Sequence, residues 1–400
     1  MRAARVLLVR FLTMVAAITV LVTVPSQAQT EKIIYSFSGA ADGANPFGGL
    51  ISDTNGNLYG VTQRGGASDE GTVFELSPGS GATWTETVLS SFNAGTVWFP
   101  ASNVVFDAKG NLYGVAFQGG VHGMGGIFEL SPASNGTWTE NVIYNFAGGS
   151  DVVCSPTRIV IDGGGNLFGY RCGQYGSIFE LQPKSNGTWA EKILHTFSGG
   201  NDGSVEYGVQ LSVDSSGNLY GQAWNGPRDF GIVFELVRGA TGSWTEKILH
   251  TFTGGAGGDA GAGSPIVQNA NGNLFGASTW NVFELVPASN GTWTEKILHT
   301  FTGGSDGAYA ESGLTISATG KIYGTTSEGG LHRGTVFELT PAANGTWTER
   351  ILHRFTPTGG DGVYPSFLTL TMDKQGNLYG TTTSGGPSIF GFGVVFEVTP

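Results

Sequence analysis

The chain has 400 residues and a formal net charge of −12, with 67 glycines and an aromatic content of 12%. The aromatic residues recur at regular intervals, which is typical of a turn-rich all-β protein and not of a disordered chain. The excess of acidic side chains argues against nucleic acid and against an anionic membrane surface as partners.

Residues 1–28 have the pattern of a cleaved secretory signal. Three arginines precede an apolar run from Phe11 to Val24, and small residues lead to Ala28. An uncleaved membrane anchor is the alternative, but this run of 14 residues is shorter than the ~20 that span a bilayer. We therefore expect a secreted protein in the periplasm, outside the cell or on its surface, with residues 29–400 as one domain and no membrane span after cleavage.

One sequence unit recurs along residues 29–400. It runs through an apolar strand, an Asp-x-x-Gly-Asn turn, Leu-Tyr-Gly, a glycine-rich loop, Val-Phe-Glu-Leu, an Asn-Gly turn and Trp-Thr-Glu-Lys-Ile-Leu-His-x-Phe. Leu-Tyr-Gly or a close variant begins at Leu58, Leu112, Leu167, Leu219, Leu274, Ile322 and Leu378. Because the period fits a four-stranded blade, the sequence predicts an all-β, seven-bladed β-propeller with four antiparallel strands per blade.

The last element of the repeat indicates how the ring closes. Its Trp-led form occurs at Trp84, Trp138, Trp189, Trp244, Trp293 and Trp347. The missing seventh copy lies at the start of the chain, where Thr30 to Phe37 match Thr-Glu-Lys-Ile-Leu-His-Thr-Phe. The N-terminal strand can then complete the last blade beside Val394 to Val398, which removes exposed sheet edges. A parallel β-solenoid is the competing repeat fold, but its coils are usually shorter and it needs no borrowed first strand.

The motifs Gly-Asn-Leu-Tyr-Gly, Gly-Thr-Val-Phe-Glu-Leu and Trp-Thr-Glu-Lys-Ile-Leu closely resemble the GloVer (Gloeo-Verruco) tandem repeat. The resemblance covers residues 29–400 and implies an exported bacterial protein of a family whose biochemical role is uncharacterised. Members often carry a C-terminal surface anchor, which this sequence lacks, so the resemblance alone does not predict attachment to a cell surface. The Asp-x-x-Gly-Asn-Leu element also resembles that of streptogramin-lyase and NHL-type propellers.

Side chains that recur in every blade are expected to serve packing and buried hydrogen bonds. The Val-Phe-Glu-Leu glutamates lie in mid-strand, where a hydrogen-bonded or lysine-paired role is expected rather than catalysis. They are Glu75, Glu129, Glu180, Glu235, Glu284, Glu338 and Glu397. Another repeat position holds either histidine or tyrosine, which argues against a metal-ligand role. Its members include Tyr35, Tyr144, His195, His250, His299 and His353.

Aspartates in the loops that enter the blades have two interpretations. Carboxylates and loop carbonyls are the ligands that calcium prefers, but an aspartate that caps a turn is the commoner case. No loop has the dense alternating carboxylates of a calcium motif. We therefore predict no cofactor and no metal site, with calcium as the open alternative. The aspartates concerned are Asp42, Asp151, Asp202, Asp259, Asp306 and Asp361.

The non-repeating residues are concentrated in two sets of loops, those between blades and those between Leu-Tyr-Gly and Val-Phe-Glu-Leu. Strand alternation places both sets on one face of the disc, which we call the loop face. Exposed aromatic rings mixed with charged groups suit a sugar or a peptide, although such rings can also serve to order glycine-rich loops. The ligand-binding candidates are Trp98, Phe117, His122, Arg171, Tyr175, Trp224, Arg228, Asp229, Trp280, Glu328, His332 and Arg333, and the same loops hold Arg64, Asp69, Glu70, Phe390 and Phe392.

Cys154 and Cys172 are the two cysteines of the chain. Both map to the loop face of the third blade, and export would expose them to an oxidising compartment. We therefore predict a Cys154–Cys172 disulfide rather than a reactive thiol.

Three functions are compatible with these patterns. The leading interpretation is an exported, monomeric binding module that presents its loop face to a carbohydrate or a protein. The alternative is a lyase or hydrolase at the mouth of the central channel, for which loop residues supply acids and bases. No nucleophile motif or metal triad supports a catalytic assignment, so the catalytic residues stay unassigned. A purely architectural scaffold is the third interpretation.

Overall fold

The computed structural model describes residues 30–100, 102–149, 151, 158–205, 210–254, 264–310, 312–358, 360–365, 368–387 and 391–400. These residues form seven blades of four antiparallel strand positions each, which confirms the predicted propeller. The strands follow chain order from the centre outwards except in blade 7, whose outer strand is the N-terminal strand. Within the described part of the chain, the helical structure consists of one 3₁₀ turn at Ser80–Ala82. No helix there is long and apolar enough to cross a membrane.

Blade 1 consists of the strands Ala44–Ser52, Leu58–Arg64, Thr72–Pro78 and Trp84–Ser91. Blade 2 has two short inner strands, Val97–Pro100 and Val105–Phe106, followed by Leu112–Gly119, Gly126–Pro132 and Trp138–Asn145. Blade 3 consists of Val160–Ile161, Leu167–Arg171, Ser177–Pro183 and Trp189–Thr196. The strands of blades 4 and 5 are Ser212–Val213, Leu219–Ala223, Ile232–Arg238 and Trp244–Thr251; and Val267–Gln268, Leu274–Ala277, Asn281–Pro287 and Trp293–Thr300. Those of blades 6 and 7 are Thr315–Ile316, Ile322–Thr326, Thr335–Pro341 and Trp347–Arg354; and Thr371–Met372, Leu378–Thr382, Val394–Thr399 and Thr30–Ser36, with a small extra pair of Gly362–Val363 and Ser384–Gly385.

The N-terminal strand closes the ring, as the sequence predicts. Thr30–Ser36 pairs antiparallel with Val394–Thr399 and forms the outer strand of blade 7, with Ile33 opposite Phe396. The same bulge interrupts the outer-strand pairing in every blade, which shows that this strand occupies an ordinary blade position. This pairing covers the edge of Val394–Thr399, which would otherwise be exposed.

Each blade is joined to the next by a pair of buried phenylalanines. The phenylalanine that follows each outer strand packs edge-on against the phenylalanine of Val-Phe-Glu-Leu or its equivalent in the next blade, with centroids 5.0–6.2 Å apart. Edge-to-face packing is the preferred arrangement of aromatic rings. The pairs are Phe37–Phe74, Phe92–Phe128, Phe146–Phe179, Phe197–Phe234, Phe252–Phe283, Phe301–Phe337 and Phe355–Phe396.

The turns on the face opposite the loop face follow the sequence signals, with one correction. In the Asp-x-x-Gly-Asn turn, Asp53 Oδ1 accepts from the backbone N–H groups of Asn55 and Asn57, both at 2.9 Å. A tight Asn-Gly hairpin turn usually has positive φ at both residues, but in the Asn135-Gly136 turn only Gly136 has one, at 83°. Asn135 instead uses its side-chain oxygen to accept from the backbone of Thr137 at 3.1 Å, so it acts through a hydrogen bond and not through its backbone angle.

Candidate functional site

The repeated glutamates have the structural partners that the sequence predicts. Glu338 is almost fully buried and accepts from Lys321 Nζ at 3.1 Å and Arg350 Nη2 at 3.0 Å. Lys296 lies 3.3 Å from Glu284, and the Tyr113 hydroxyl donates to Glu129 at 2.8 Å. These carboxylates are engaged within their own blades and take no part in a candidate site.

A second repeated cluster lies at the outer edge where two blades meet. It combines the histidine or tyrosine of one outer strand, the aspartate of the following loop and a glutamate from the next outer strand. At the junction of blades 6 and 7 His353 Nε2 lies 3.0 Å from Asp361 Oδ2, and at the junction of blades 7 and 1 the Tyr35 hydroxyl donates to Asp42 at 3.1 Å. The aspartate also caps its loop, since the backbone N–H of Thr356 donates to Asp361 at 2.8 Å.

The glutamates of these clusters are buried beside another carboxylate. Burial, and next the Asp42 carboxylate, raise the pKa of Glu86 to about 7. The same two causes, with Asp202 as the neighbour, raise the pKa of Glu246 to about 7. Burial lowers the pKa of His195, and the nearby Asp202 opposes that shift.

The centre of the ring contains a cavity of about 530 Å³ lined by the inner strands of blades 1, 2, 3, 4, 5 and 7. At the loop-face end of this cavity, the position just before the first core residue of each inner strand varies from blade to blade. This position holds Gly49, Asn103, Arg158, Gln210, Pro265, Gly313 and Thr369. The channel mouth therefore carries the individual chemistry that the rest of the repeat lacks.

Arg158 is the most distinctive residue of the channel mouth. It is only 7% exposed, and its Nη1 donates to Thr369 Oγ1 at 2.8 Å. Burial lowers the pKa of Arg158 to about 10, which still leaves the guanidinium charged at neutral pH. Beside it, the side-chain oxygens of Asn103 and Gln210 are buried and accept no hydrogen bond. A buried cation next to open acceptors can bind an anionic group that also carries hydroxyls.

The loop face contains a second feature that sequence reasoning missed. In five junctions the backbone N–H of one residue in the entering loop donates to a carbonyl of the preceding blade's internal loop, at Asn45, Phe99, Val205, Tyr309 and Tyr364. Four of them have positive φ, and three of these four are aromatic: Phe99 at 64°, Tyr309 at 58° and Tyr364 at 63°. A bulky residue in this region is a genuine backbone outlier, so these rings are held outward at a cost in conformational energy.

Each of these three rings contacts a side chain from the preceding blade. The Arg64 guanidinium carbon lies 4.7 Å from the ring centroid of Phe99. Arg333 lies 5.1 Å from the ring centroid of Tyr364 and donates to its hydroxyl. Trp280 and Tyr309 form a tilted pair with centroids 5.6 Å apart, and both remain more than a third exposed.

A cleft of about 390 Å³ surrounds the Tyr364 ring on the loop face. It is lined by Asn45, Arg333, Tyr364 and Phe392, together with Val363, Ser384 and Gly391. Tyr364 is 37% and Phe392 43% exposed. The cleft therefore combines two accessible ring faces with a guanidinium and an amide.

The other predicted candidates differ in how accessible they are. His122, Arg228, Asp229, Glu328 and His332 are exposed on the loop face, whereas Trp224 and Phe117 are half-buried. Trp98 packs on the core of blades 1 and 2, and Tyr175 packs on that of blades 3 and 4. The structure thus assigns a loop-ordering contact to Trp98 and Tyr175. Phe390 lies outside the described residues.

Arg171 is already paired within the protein. Its Nη1 lies 2.9 Å from Asp151 Oδ1 and 2.9 Å from Glu191 Oε1. We therefore leave it out of the candidate site. Cys154 lies outside the described residues, so the Cys154–Cys172 bridge stays a prediction.

Comparison with known proteins supports both the repeat and the fold. The sequence pattern of the Gloeobacter/Verrucomicrobia repeat matches residues 18–174 and 242–400. A comparison with curated proteins gives no match.

Solved structures that resemble this chain are propellers with low sequence identity. Virginiamycin B lyase from Staphylococcus aureus has a TM-score of 0.55 and 12% identity, with 93% of this chain and 100% of that chain covered. The extracellular domain of a proposed hybrid two component system from B. thetaiotaomicron has a TM-score of 0.58 and 13% identity, with 93% and 42% covered. A proposed 6-phosphogluconolactonase from Bacteroides uniformis has a TM-score of 0.52 and 14% identity, with 84% and 89% covered. At these identities the likeness shows the fold alone.

Proposed function

The chain belongs to the Gloeobacter/Verrucomicrobia repeat family, and we propose that it is an exported binding module that holds a carbohydrate on its loop face. The observation that carries the proposal is the set of aromatic rings at positive φ. Asn45 occupies the same position at the junction of blades 7 and 1, and asparagine adopts this backbone region readily. Phe99, Tyr309 and Tyr364 are more costly there, by about 1–2 kcal/mol each, and Tyr309 and Tyr364 are more than a third exposed, which supports a binding role for these two rings.

The chemistry of the loop face favours a sugar over a protein. The exposed aromatic residues of the loop face include Trp280 packed with Tyr309, and Tyr364 with Phe392 in one cleft. A ring face suits the flat apolar side of a pyranose, and Arg333 and Asn45 in the cleft can hydrogen-bond its hydroxyls or a carboxylate. A cleft of about 390 Å³ lies within the size range of small-ligand sites.

A glycan array with the purified protein tests this proposal. We expect specific binding that falls at least tenfold in Tyr364→Asn, which substitutes the residue that the equivalent position holds in blade 1. Trp280→Ala should weaken binding to a ligand that spans blades 5 and 6. Lys109→Ala, an exposed residue of a turn on the opposite face, is the matched control. Unchanged affinity in both loop-face variants would contradict a role for these aromatic rings in binding.

A second candidate function is catalysis at the channel mouth. Arg158 is buried beside a cavity of about 530 Å³ and can stabilise negative charge on a bound carboxylate or an oxyanion. The catalytic candidate rests on this residue and not on the similarity to a protein named as a lyase. Turnover assays with lactones and with cyclic peptide esters, compared between the native protein and Arg158→Met, test it. Activity that is equal in the two proteins would exclude a role for Arg158.

A further inference from the structure

The junction between blades 3 and 4 brings three potential ligands together from separate parts of the chain. His195 lies in the outer strand of blade 3, Asp202 in the loop that enters blade 4, and Glu246 in the outer strand of blade 4. His195 Nε2 lies 3.6 Å from Asp202 Oδ2 and 3.8 Å from Glu246 Oε2. One ligand atom from each residue lies within 4.8 Å of the other two.

The three groups converge without satisfying one another. Distances of 3.6 and 3.8 Å are too long for hydrogen bonds. His195 Nε2 and Glu246 Oε1 are both buried and have no hydrogen-bond partner, and the same is true of the equivalent His299 Nε2 and Glu349 Oε1 at the junction of blades 5 and 6. The junction of blades 3 and 4 differs from that one in bringing its three ligand atoms within 4.8 Å of one another. Buried polar atoms in this state call for an explanation, and an unfilled ion site is one. Asp202 is fixed in place, because the backbone N–H of Ser198 donates to its Oδ2 at 3.0 Å.

The preceding junction shows what can occupy the space between the two carboxylates. Between blades 2 and 3, Arg171 places Nη1 at 2.9 Å from both Asp151 and Glu191, which are the equivalents of Asp202 and Glu246. The equivalent of Arg171 in blade 4 is Ala223, which is buried and too short to reach the cluster. The pair of carboxylates thus surrounds a guanidinium at one junction, whereas at the next junction the equivalent pair has alanine in place of that arginine.

We propose that His195, Asp202 and Glu246 bind a divalent transition-metal ion, with Zn²⁺ as the probe. One imidazole nitrogen and two carboxylate oxygens are a donor set typical of zinc and its neighbours, whereas calcium takes oxygen ligands. Two carboxylates neutralise a dication, whereas the single guanidinium at the preceding junction neutralises only one of its two carboxylates. Bonds of about 2.0–2.2 Å place ligand atoms about 3.4 Å apart, which is a few tenths of an ångström closer than His195 Nε2 lies to either carboxylate oxygen. Such an ion would join blade 3 to blade 4 at the outer edge of the ring.

Isothermal titration of the metal-stripped protein with Zn²⁺ tests the site. We expect saturable binding, with the stoichiometry reduced by one ion per chain in both His195→Tyr and Glu246→Gln. Tyrosine occupies the equivalent position at Tyr35 and Tyr144, so the first variant is a substitution that the repeat already contains. His299→Tyr is the matched control, because among the described residues His299 belongs to no group whose three ligand atoms all lie within 4.8 Å of one another. Its stoichiometry should equal that of the native protein.

A spectroscopic measurement on the unmodified chain does not depend on whether the variants fold. With Co²⁺ as the probe, ligation gives visible absorption bands that Zn²⁺ abolishes by competition, and the imidazole nitrogen resonances of His195 should shift when Zn²⁺ is added. The cluster of Glu31, His353 and Asp361 could add a second ion, but there the histidine and aspartate are already at hydrogen-bond distance. Absence of saturable binding, or a stoichiometry unaltered in His195→Tyr and Glu246→Gln, would overturn the proposal.

Discussion

The guanidinium of Arg158 donates a hydrogen bond from Nη1 to Oγ1 of Thr369, at 2.8 Å, and so joins blade 3 to blade 7 at the mouth of the channel. Arg158 is 7% exposed and Thr369 belongs to the last blade before closure. Burial of a charged group costs free energy unless its partners fully replace water. The change in the free energy of unfolding when Arg158 is replaced therefore distinguishes a structural role of this residue from a binding role.

Arg158→Met removes the buried charge and keeps most of the side-chain volume. We expect the free energy of unfolding, measured in urea, to stay the same or to rise, because the desolvation penalty disappears. Thr369→Val is the matched control: it keeps the charge but removes an acceptor, and should cost about 1–3 kcal/mol. If Arg158→Met costs as much as Thr369→Val, the arginine is a structural residue and the channel loses its main candidate.

Phe37 tests how much the N-terminal strand contributes to closure. Its ring is 3% exposed and packs edge-on against Phe74 of blade 1 at 5.2 Å. Phe37→Ala should cost about 3–5 kcal/mol, as expected for a large buried ring. The matched control is Phe252→Ala, which removes the same contact in the middle of the chain. A cost below about 1 kcal/mol for Phe37→Ala alone would show that the ring is stable without this closing contact.

Cys172→Ser tests the predicted disulfide. A bridge to Cys154 closes a loop of 19 residues, and constraint of the unfolded chain is worth about 3 kcal/mol for a loop of this size. We therefore expect the variant to lose about that much stability under oxidising conditions, and the native protein to lose a similar amount in reductant. Thiol titration of the unreduced folded protein is the direct check, and two free thiols would refute the bridge.

The sequence was sufficient for the architecture because each repeat carries its own local signals. Thr30 to Phe37 match the outer strand so closely that closure follows from the motif, and the structure confirms it. Arg158 was missed because its repeat position has no motif and its environment forms only when six blades meet around the channel. Tyr364 was missed for a related reason: its positive φ accompanies a backbone hydrogen bond to Arg333 of the neighbouring blade, which sequence does not show.

Arg171 shows the limit of reasoning from one strand at a time. As a non-repeating arginine in a loop it resembled a ligand-binding residue, yet Glu191 from the outer strand of the same blade pairs with it at 2.9 Å. The histidine position was also judged from one strand alone. The third group of the cluster, Glu246, comes from the following blade and becomes visible as a neighbour of His195 only in three dimensions.

The junction of blades 7 and 1 provides a pH test, because Tyr35 stands there in place of histidine. Burial, and next the Asp42 carboxylate, raise the pKa of Glu86 to about 7, so the folded state holds a proton that the unfolded state releases near the ordinary glutamate pKa of 4.5. Between these two values the folded protein binds more protons than the unfolded chain. The contribution of Glu86 to stability is therefore fully present below about pH 4.5 and is lost as the pH rises through about 7.

Glu86→Gln should remove this dependence, since glutamine resembles the protonated acid at every pH. We expect the variant to match the native protein near pH 5 and to exceed its free energy of unfolding near pH 8, in urea titrations with chelator present. Glu140→Gln is the matched control: Ser90 and Thr96 donate to the Glu140 carboxylate at 2.7 and 2.9 Å, so loss of its charge should destabilise the protein at both pH values. An equal difference between Glu86→Gln and the native protein at both pH values would contradict the assignment.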